Sequence, residues 1–302
     1  MTVEKYADIR LRGSSISLIG TVNTILAEYE AQGLVLTVRQ IYYQLVSRNL
    51  IANTIAEYGR ISRLLCDARM AGLVDWNMIE DRTRVFDRRS RWDSGKEVLQ
   101  AVADQFHMDL WEGQDVRPFT VVEKDSLSGI LSPVCRKYDV PLLAAKGYCS
   151  VSTLREFTVE DILPAIEDSQ EVVILHLGDH DPSGLDMTRD IKDRVSAFLN
   201  GSGQGVQVIR LALNFDQIME LKPPPNPAKT TDRRFAAYAR EYGAESWELD
   251  ALRPDYMANL VEKEIRRYID FDKWQARVDE INLTKTKLRE LADGFITPEA
   301  GR

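Results

Sequence analysis

The stretch EVVILHLGDHDPSGLDM, residues 171–187, decides the fold. Its first half is a short, unbroken apolar run rich in β-branched residues, the composition of a strand covered on both faces. Its second half opens on Asp-His-Asp, passes Pro182 and Gly184, and leads into the helical pattern LDMTRDIKDRVSAFLN. A buried strand that ends on acids and turns into a helix is one step of a parallel α/β sheet. Three more runs of this kind surround it: FTVV before Glu123, VPLLAAKG, and VQVIRLALN at 206–214. Helical stretches such as LREFTVEDILPAIED lie between them. The alternation predicts an α/β unit with a parallel sheet over residues 119–222, closed by the helix-breaking LKPPPNPAK at 221–229.

In open parallel sheets, ligands bind beyond the carboxyl ends of the strands. Glu123 follows FTVV directly, and Asp179 and Asp181 follow VVILHLG. If these strands are neighbours, three carboxylates meet at one edge. Hard oxygen donors of this type suit Mg²⁺, or Mn²⁺ in its place, and such an ion serves phosphate chemistry. Acids at strand ends also act as helix caps, and Asp181 before Pro182 is well placed to be one. His176 lies inside the apolar run and reads as a core histidine, while His180 points away from the aspartates in an extended chain. The three cysteines show no CxxC spacing, so neither a zinc site nor a disulfide framework is indicated.

The 302-residue chain has room for at least two compact units. Its net charge of −8 argues against a protein that coats nucleic acid indiscriminately. Residues 36–93 run against that balance, with ten Arg and Lys against seven acids. The N-terminus lacks the apolar core of a signal peptide, and no window approaches a membrane span, so a cytoplasmic protein away from the membrane is expected.

Residues 15–32 carry an amphipathic helical pattern ending at Gly33, Thr37 can cap a helix through Ser47, and 53–72 read as a third helix. LVDWNMIEDRTRVFDRR then alternates like a small β-wing. Helix, helix and basic ribbon is the order of a winged-helix unit over 36–93, although a small helical domain with surface arginines has the same pattern. The DNA-contact candidates are Arg60, Arg63 and Arg69 on the later helix, and Arg82, Arg84 and Arg88 on the ribbon. On a helical wheel VRQIYYQL, residues 38–45, separates its two tyrosines. Tyr42 joins Val38, Ile41 and Leu45 in the buried stripe, whereas Tyr43 falls beside Arg39 on the flank, free to approach a phosphate.

Residues 229–252 are rich in charge and aromatics. Lys229, Arg233 and Arg234 could contact DNA or a partner, and Glu248 with Asp250 could add to the metal site, but a solvated helix before a buried Trp247 explains the same residues, and these acids are left outside the expected site. The apolar stripe farther on either packs on the sheet or makes a dimer contact.

Taken together, VVEKDSLSGIL and LHLGDHDPSG resemble the two halves of a Toprim domain, and VRQIYYQL resembles the Arg-x-x-aromatic-Tyr motif of the A-type chain of topoisomerase VI and the related meiotic double-strand-break protein. A third stretch, AAKGYCSVSTLREF, is similar to the family's Lys-Gly and Thr-Arg region, with Leu154 inserted between Thr153 and Arg155; it adds Lys146 to the DNA-contact candidates. The likeness covers roughly residues 36–222. It implies an N-terminal helical segment (1–35), a winged-helix domain (36–93), a linker (94–118), a Rossmann-like Toprim domain (119–222) and a helical C-terminal segment (223–302). It further implies that Tyr43 attacks a DNA phosphodiester to form a 5′-phosphotyrosyl link, that Arg39 assists at the phosphate, and that Glu123, Asp179 and Asp181 hold Mg²⁺. The implied partners are double-stranded DNA, a second copy of the chain whose acids face Tyr43 in a homodimer, and a separate ATPase of the B type, in the nucleoid. Hydrolytic Toprim nucleases that work without a tyrosine link, and a catalytically dormant DNA-binding scaffold, remain alternatives.

Overall fold

The computed structural model describes residues 3–80, 91–199 and 205–295. Its centre is a four-stranded, fully parallel sheet in the order β2-β1-β3-β4, formed by β1 (Val116–Val122), β2 (Leu142–Ala144), β3 (Glu171–Leu177) and β4 (Val206–Ala212). The apolar runs expected as strands are these four, the first beginning three residues before FTVV. Successive side chains leave a strand on opposite faces, and β3 shows the consequence. Val173, Leu175 and Leu177 join one core, while Val172 and Ile174 join the other.

Helices cover both faces. The helices of the first half are α1 (Gly13–Glu30), α2 (Val38–Ser47), α3 (Ile55–Met70) and α4 (Gly95–Gln105). Those interleaved with the sheet are α5 (Ser128–Lys137), α6 (Val151–Phe157), α7 (Leu163–Glu167), α8 (Pro182–Phe198) and α9 (Phe215–Leu221). After them come the strand pair β5 (Asn226–Pro227) and β6 (Glu245–Ser246), with α10 (Phe235–Tyr242) between them, then α11 (Pro254–Arg266) and α12 (Phe271–Asp293). Helices α5, α9 and α11 share the core of one sheet face, and α6, α7 and α8 that of the other. The C-terminal stripe therefore packs on the sheet: Met257, Val261 and Ile265 of α11 are fully buried in the same cluster as Leu127, Ile130 and Leu131. Helix α12 lies along α4.

A second core holds the first half together. Ile19, Val22, Ile25, Leu26 and Tyr29 of α1 pack with α2 and α3, so residues 13–30 belong to the same cluster as the two helices that follow. Local chemistry starts both of those helices. Thr37 and Gln40 form a reciprocal capping box on α2, and the Thr54 hydroxyl accepts the Glu57 N–H of α3. Of the expected wing, residues 81–90 lie outside the described residues, Arg82, Arg84 and Arg88 among them. The part described contains one 3₁₀ turn, Trp76–Met78, and a parallel bridge from Ile79 to Leu36.

The strand order places the candidate edge. After β1 the chain crosses to β2 on one side, then returns past β1 to β3 on the other. The crevice between the ends of β1 and β3 is thus the point at which the winding reverses, where α/β sheets leave room for a ligand.

Candidate active site at the carboxyl edge of the sheet

Val122 and Leu177 are paired at the ends of β1 and β3, and the Glu123 N–H donates to the Leu177 carbonyl at 2.9 Å. Register alone therefore brings Glu123 and Asp179 together: Glu123 Oε2 accepts the Asp179 N–H at 2.8 Å. Asp181 starts α8, its Oδ1 accepting the Gly184 N–H at 2.6 Å and the Ser183 hydroxyl at 2.8 Å. One of its oxygens is thus committed to capping, the structural role weighed for it. Gly184 is needed here because a Cβ would stand 2.1 Å from the Asp179 carbonyl oxygen.

A half-buried arginine ties this turn together. Arg210 of β4 donates to the carbonyls of Gly178, Asp179, Gly184 and Leu213, and to Thr188 Oγ1. Burial brings its pKa down to about 10, against the pull of Glu123, Asp179 and Asp181. His176 shares a 2.8 Å hydrogen bond with Thr188 Oγ1 and is pushed down to about 3 by burial and by Arg210. It is a core histidine, as its place in the apolar run suggested.

The segment after β6 folds over the same edge. His180 and Trp247 exchange backbone hydrogen bonds, and the His180 ring is enclosed by Tyr238, Tyr242, Phe215 and Trp247. That pairing carries Glu248 and Asp250 to the site. The Leu249 N–H donates to Asp179 Oδ1 at 2.8 Å, and the Ser126 hydroxyl to Asp250 Oδ1 at 3.2 Å. Lys124 completes the arrangement, its Nζ lying 2.8 Å from Asp179 Oδ2, 3.0 Å from Glu248 Oε2 and 3.0 Å from Asp250 Oδ2. Arg39 reaches in from α2, paired with Glu248 and 3.4 Å from Asp250.

The electrostatics are strained by burial. Glu123 is pushed up to about 7, first by burial and then by the charge of Asp179 beside it. Asp179 also stands above the ordinary aspartate value, because its burial outweighs the help of Lys124. Burial works against Lys124 too, but Asp179, Asp250 and Glu248 hold it above the ordinary lysine value. Burial opposes the charge on Glu248 as well, yet Lys124 and Arg39 bring it below the usual glutamate value.

Tyr43 departs from the helical wheel. Only 3 % of it is exposed, and it packs edge-to-face on Tyr42 with ring centroids 5.2 Å apart. A wheel anticipates one packing partner, but α2 has two: the core beneath it and residues 226–250 above it. Burial lifts the phenol to about 12, with Glu248 adding to the shift and Asn226 and Arg39 opposing it. Its edge borders a cleft of about 470 Å³ lined also by Arg39, Tyr58, Asn226, Lys229 and Glu248.

The remaining candidates are dispersed. Arg63 is exposed, and Arg60 is exposed but paired with Glu57 at 2.6 Å. Arg69 is spent within its own unit, its guanidinium 4.3 Å from the Trp76 ring centre and bonded to the Trp76 carbonyl. Lys146 is exposed just after β2, at the same edge as Glu123, and lies 3.4 Å from Asp125.

Sequence reasoning missed Lys124 and Arg210, and weighed Glu248 and Asp250 as additions to the metal site but set them aside. Arg210 was detectable as a lone charge within the run VQVIRLAL, and Lys124 by its place next to Glu123. Nothing local marks Glu248 and Asp250, which arrive through a contact between residues far apart in sequence.

Among the described residues, no group of three or more His, Cys, Asp or Glu side chains stands ready to hold a metal ion. Where three carboxylates do converge, the Lys124 ammonium holds the middle. Glu123 and Asp179 nevertheless fit a divalent cation, since both are buried oxygen donors whose shared negative charge is under-compensated. No protein-family model matches the chain, and no curated protein matches it. No helix among the described residues is long and apolar enough to cross a membrane.

Proposed function

We propose that the chain is a Mg²⁺-dependent DNA strand-breaking protein of the topoisomerase VI A-like class. In this reading the α1–α3 unit supplies the winged-helix part and the parallel sheet is the Toprim part. The observation that carries the reading is the pair Glu123–Asp179, two buried carboxylates in the crevice where the sheet winding reverses. Buried carboxylates with raised pKa values at the switch point of a parallel sheet are candidates for a functional site. Glu123 and Asp179, with the free oxygen of Asp181, would hold the cation. When bound, it would stabilise charge on the attacked phosphate. Arg39 offers a planar fork of donors to phosphate oxygens once Glu248 releases it.

Tyr43 is then the nucleophile. Its Oη bonds to phosphorus as the bond to the 3′ oxygen breaks, leaving a 5′-phosphotyrosyl link. A phenol at about 12 is a weak nucleophile at neutral pH, so Arg39 and the cation must favour its ionised form. Within one chain, Tyr43 is joined to the acids through Arg39, Glu248 and Lys124. Pairing with the acids of a second copy requires the Arg39–Glu248 contact to open.

The burial of Tyr43 favours a second reading, hydrolysis by an activated water at the same acids with Tyr43 structural. Supercoiled plasmid, Mg²⁺ and a denaturant quench separate the two. Protein covalently attached to DNA 5′ ends, lost in Tyr43→Phe, supports the tyrosine route. Cutting that survives Tyr43→Phe and disappears in Asp179→Ala supports hydrolysis. DNA binding with no cutting in either Mg²⁺ or Mn²⁺ would sink both.

A further inference from the structure

The proposed chemistry gives Lys124 no task, and its surroundings are those of a bound ion. Three carboxylate oxygens, one from the end of β3 and two from residues 248–250, lie within 3.0 Å of its nitrogen. An ammonium has three protons to give; one is donated to Glu248 Oε2, and the Asp179 and Asp250 oxygens stand within ion-pair distance of the nitrogen. Asp250, with 1 % exposure, is the most telling member. Its Oδ2 receives no directed hydrogen bond; what it meets is charge, from Lys124 at 3.0 Å and Arg39 Nε at 3.4 Å. A buried carboxylate oxygen without a directed partner is costly unless a cation sits before it.

We propose that Asp179, Glu248 and Asp250 form a cation cage whose resident occupant is the Lys124 ammonium, so that a built-in monovalent charge stands where a second divalent ion would otherwise bind. The presence of a first divalent ion, at Glu123 and Asp179, rests on the function proposed above; the cage itself does not. The charge balance agrees with one ion and one lysine. Glu123, Asp179, Asp181, Glu248 and Asp250 face Lys124, Arg39 and Arg210, which leaves two negative charges, enough for a single divalent cation. Asp179 is the shared wall, with Oδ2 on the lysine and its neighbour Glu123 on the other side.

The spacing also speaks to selectivity. Oxygens 2.8–3.0 Å from a common centre suit an ammonium, whereas Mg²⁺ needs about 2.1 Å and Ca²⁺ about 2.4 Å. A lysine in the cage thus keeps the walls apart without the contraction a metal would impose. Because the occupant is covalently part of the chain, a chelator cannot remove it, and this half of the edge stays closed in metal-free protein. Glu248 ties the cage to Arg39, and so to α2 and Tyr43.

The test counts Mn²⁺ ions bound per full-length chain by calorimetry and by electron paramagnetic resonance, in wild type and Lys124→Ala. The expected result is one additional ion in Lys124→Ala, together with a loss of thermal stability in chelator that Mn²⁺ restores. If wild type binds one ion and the variant gains none, the cage is overturned and the proposed function stands. If wild type binds none but the variant gains one, the cage stands and the metal-dependent function falls. No ion in either overturns both, and two ions in wild type overturn the assignment of Lys124. Should Lys124→Ala not fold in chelator, the count is made on protein refolded in Mn²⁺ and on Lys124→Gln. Failure of both variants to fold at any Mn²⁺ concentration also overturns the cage.

Discussion

Replacing Glu123 by Gln should stabilise the folded chain, and the pH at which it does so identifies the cause. The carboxyl stands at about 7 in the folded protein against an ordinary 4.5. An acid whose pKa rises on folding holds its proton more tightly in the folded state, so it penalises folding wherever it is ionised. The penalty is full above pH 7 and fades as the pH falls from 7 toward 4.5. The difference is worth about 3 kcal/mol at pH 8 and under about 1 kcal/mol at pH 5. A glutamine keeps an oxygen that can accept the Asp179 N–H, so the 2.8 Å hydrogen bond survives the change. Urea unfolding followed by tryptophan fluorescence, in chelator, should therefore place Glu123→Gln above wild type by about 3 kcal/mol at pH 8, with little difference at pH 5. Millimolar Mg²⁺ should raise the wild-type midpoint at pH 8 more than that of the variant, because the ion takes up the same uncompensated charge. A glutamine variant equal to or weaker than wild type at pH 8, or a gain of the same size at both pH values, would refute the reasoning.

Gly184→Ala forces a Cβ to within 2.1 Å of the Asp179 carbonyl oxygen; a loss of about 3 kcal/mol in urea midpoint analysis is expected, with weaker Mn²⁺ binding as Asp179 shifts. Arg210→Met removes the guanidinium donor from the carbonyls of Asp179 and Gly184, and one of two donors from that of Gly178, and should cost on the order of 3 kcal/mol or more by the same measurement. His176 at about 3 and His180 at about 4 are both depressed by burial and Arg210. The unfolded chain takes up their protons below about pH 6.5, so stability falls as the pH drops from 7 to 5, by about 2 kcal/mol for each histidine. Substituting either by Asn should flatten the slope of stability against pH near pH 5 by close to one proton.

What could be read in the sequence follows from how local the physics is. A strand covered on both faces needs nothing but a continuous apolar run, so the four parallel strands and the acids at the ends of two of them were visible in FTVVE and VVILHLGDHD. Helix starts were equally local, since Thr37, Thr54 and Asp181 each cap through a contact three residues away. Tyr43 shows where this stops. Its burial depends on residues 226–250 lying over α2, a contact that no periodicity in VRQIYYQL encodes. The same limit left Glu248 and Asp250 outside the expected site, since they are delivered by the pairing of His180 with Trp247.

These two failures have one origin, and it bears on how the site can work. The segment that buries Tyr43 also brings the carboxylates that hold Lys124 and Arg39. A movement of residues 226–250 away from α2 would at once expose the phenol, free the arginine and reduce the negative charge beside Asp179. If Tyr43 acts as a nucleophile, those three changes must come together, because none of the groups is available for a phosphate while Glu248 joins them. A rigid α2 contact in the DNA-bound protein would therefore favour hydrolysis at Glu123 and Asp179, whereas its opening would favour attack by the tyrosine.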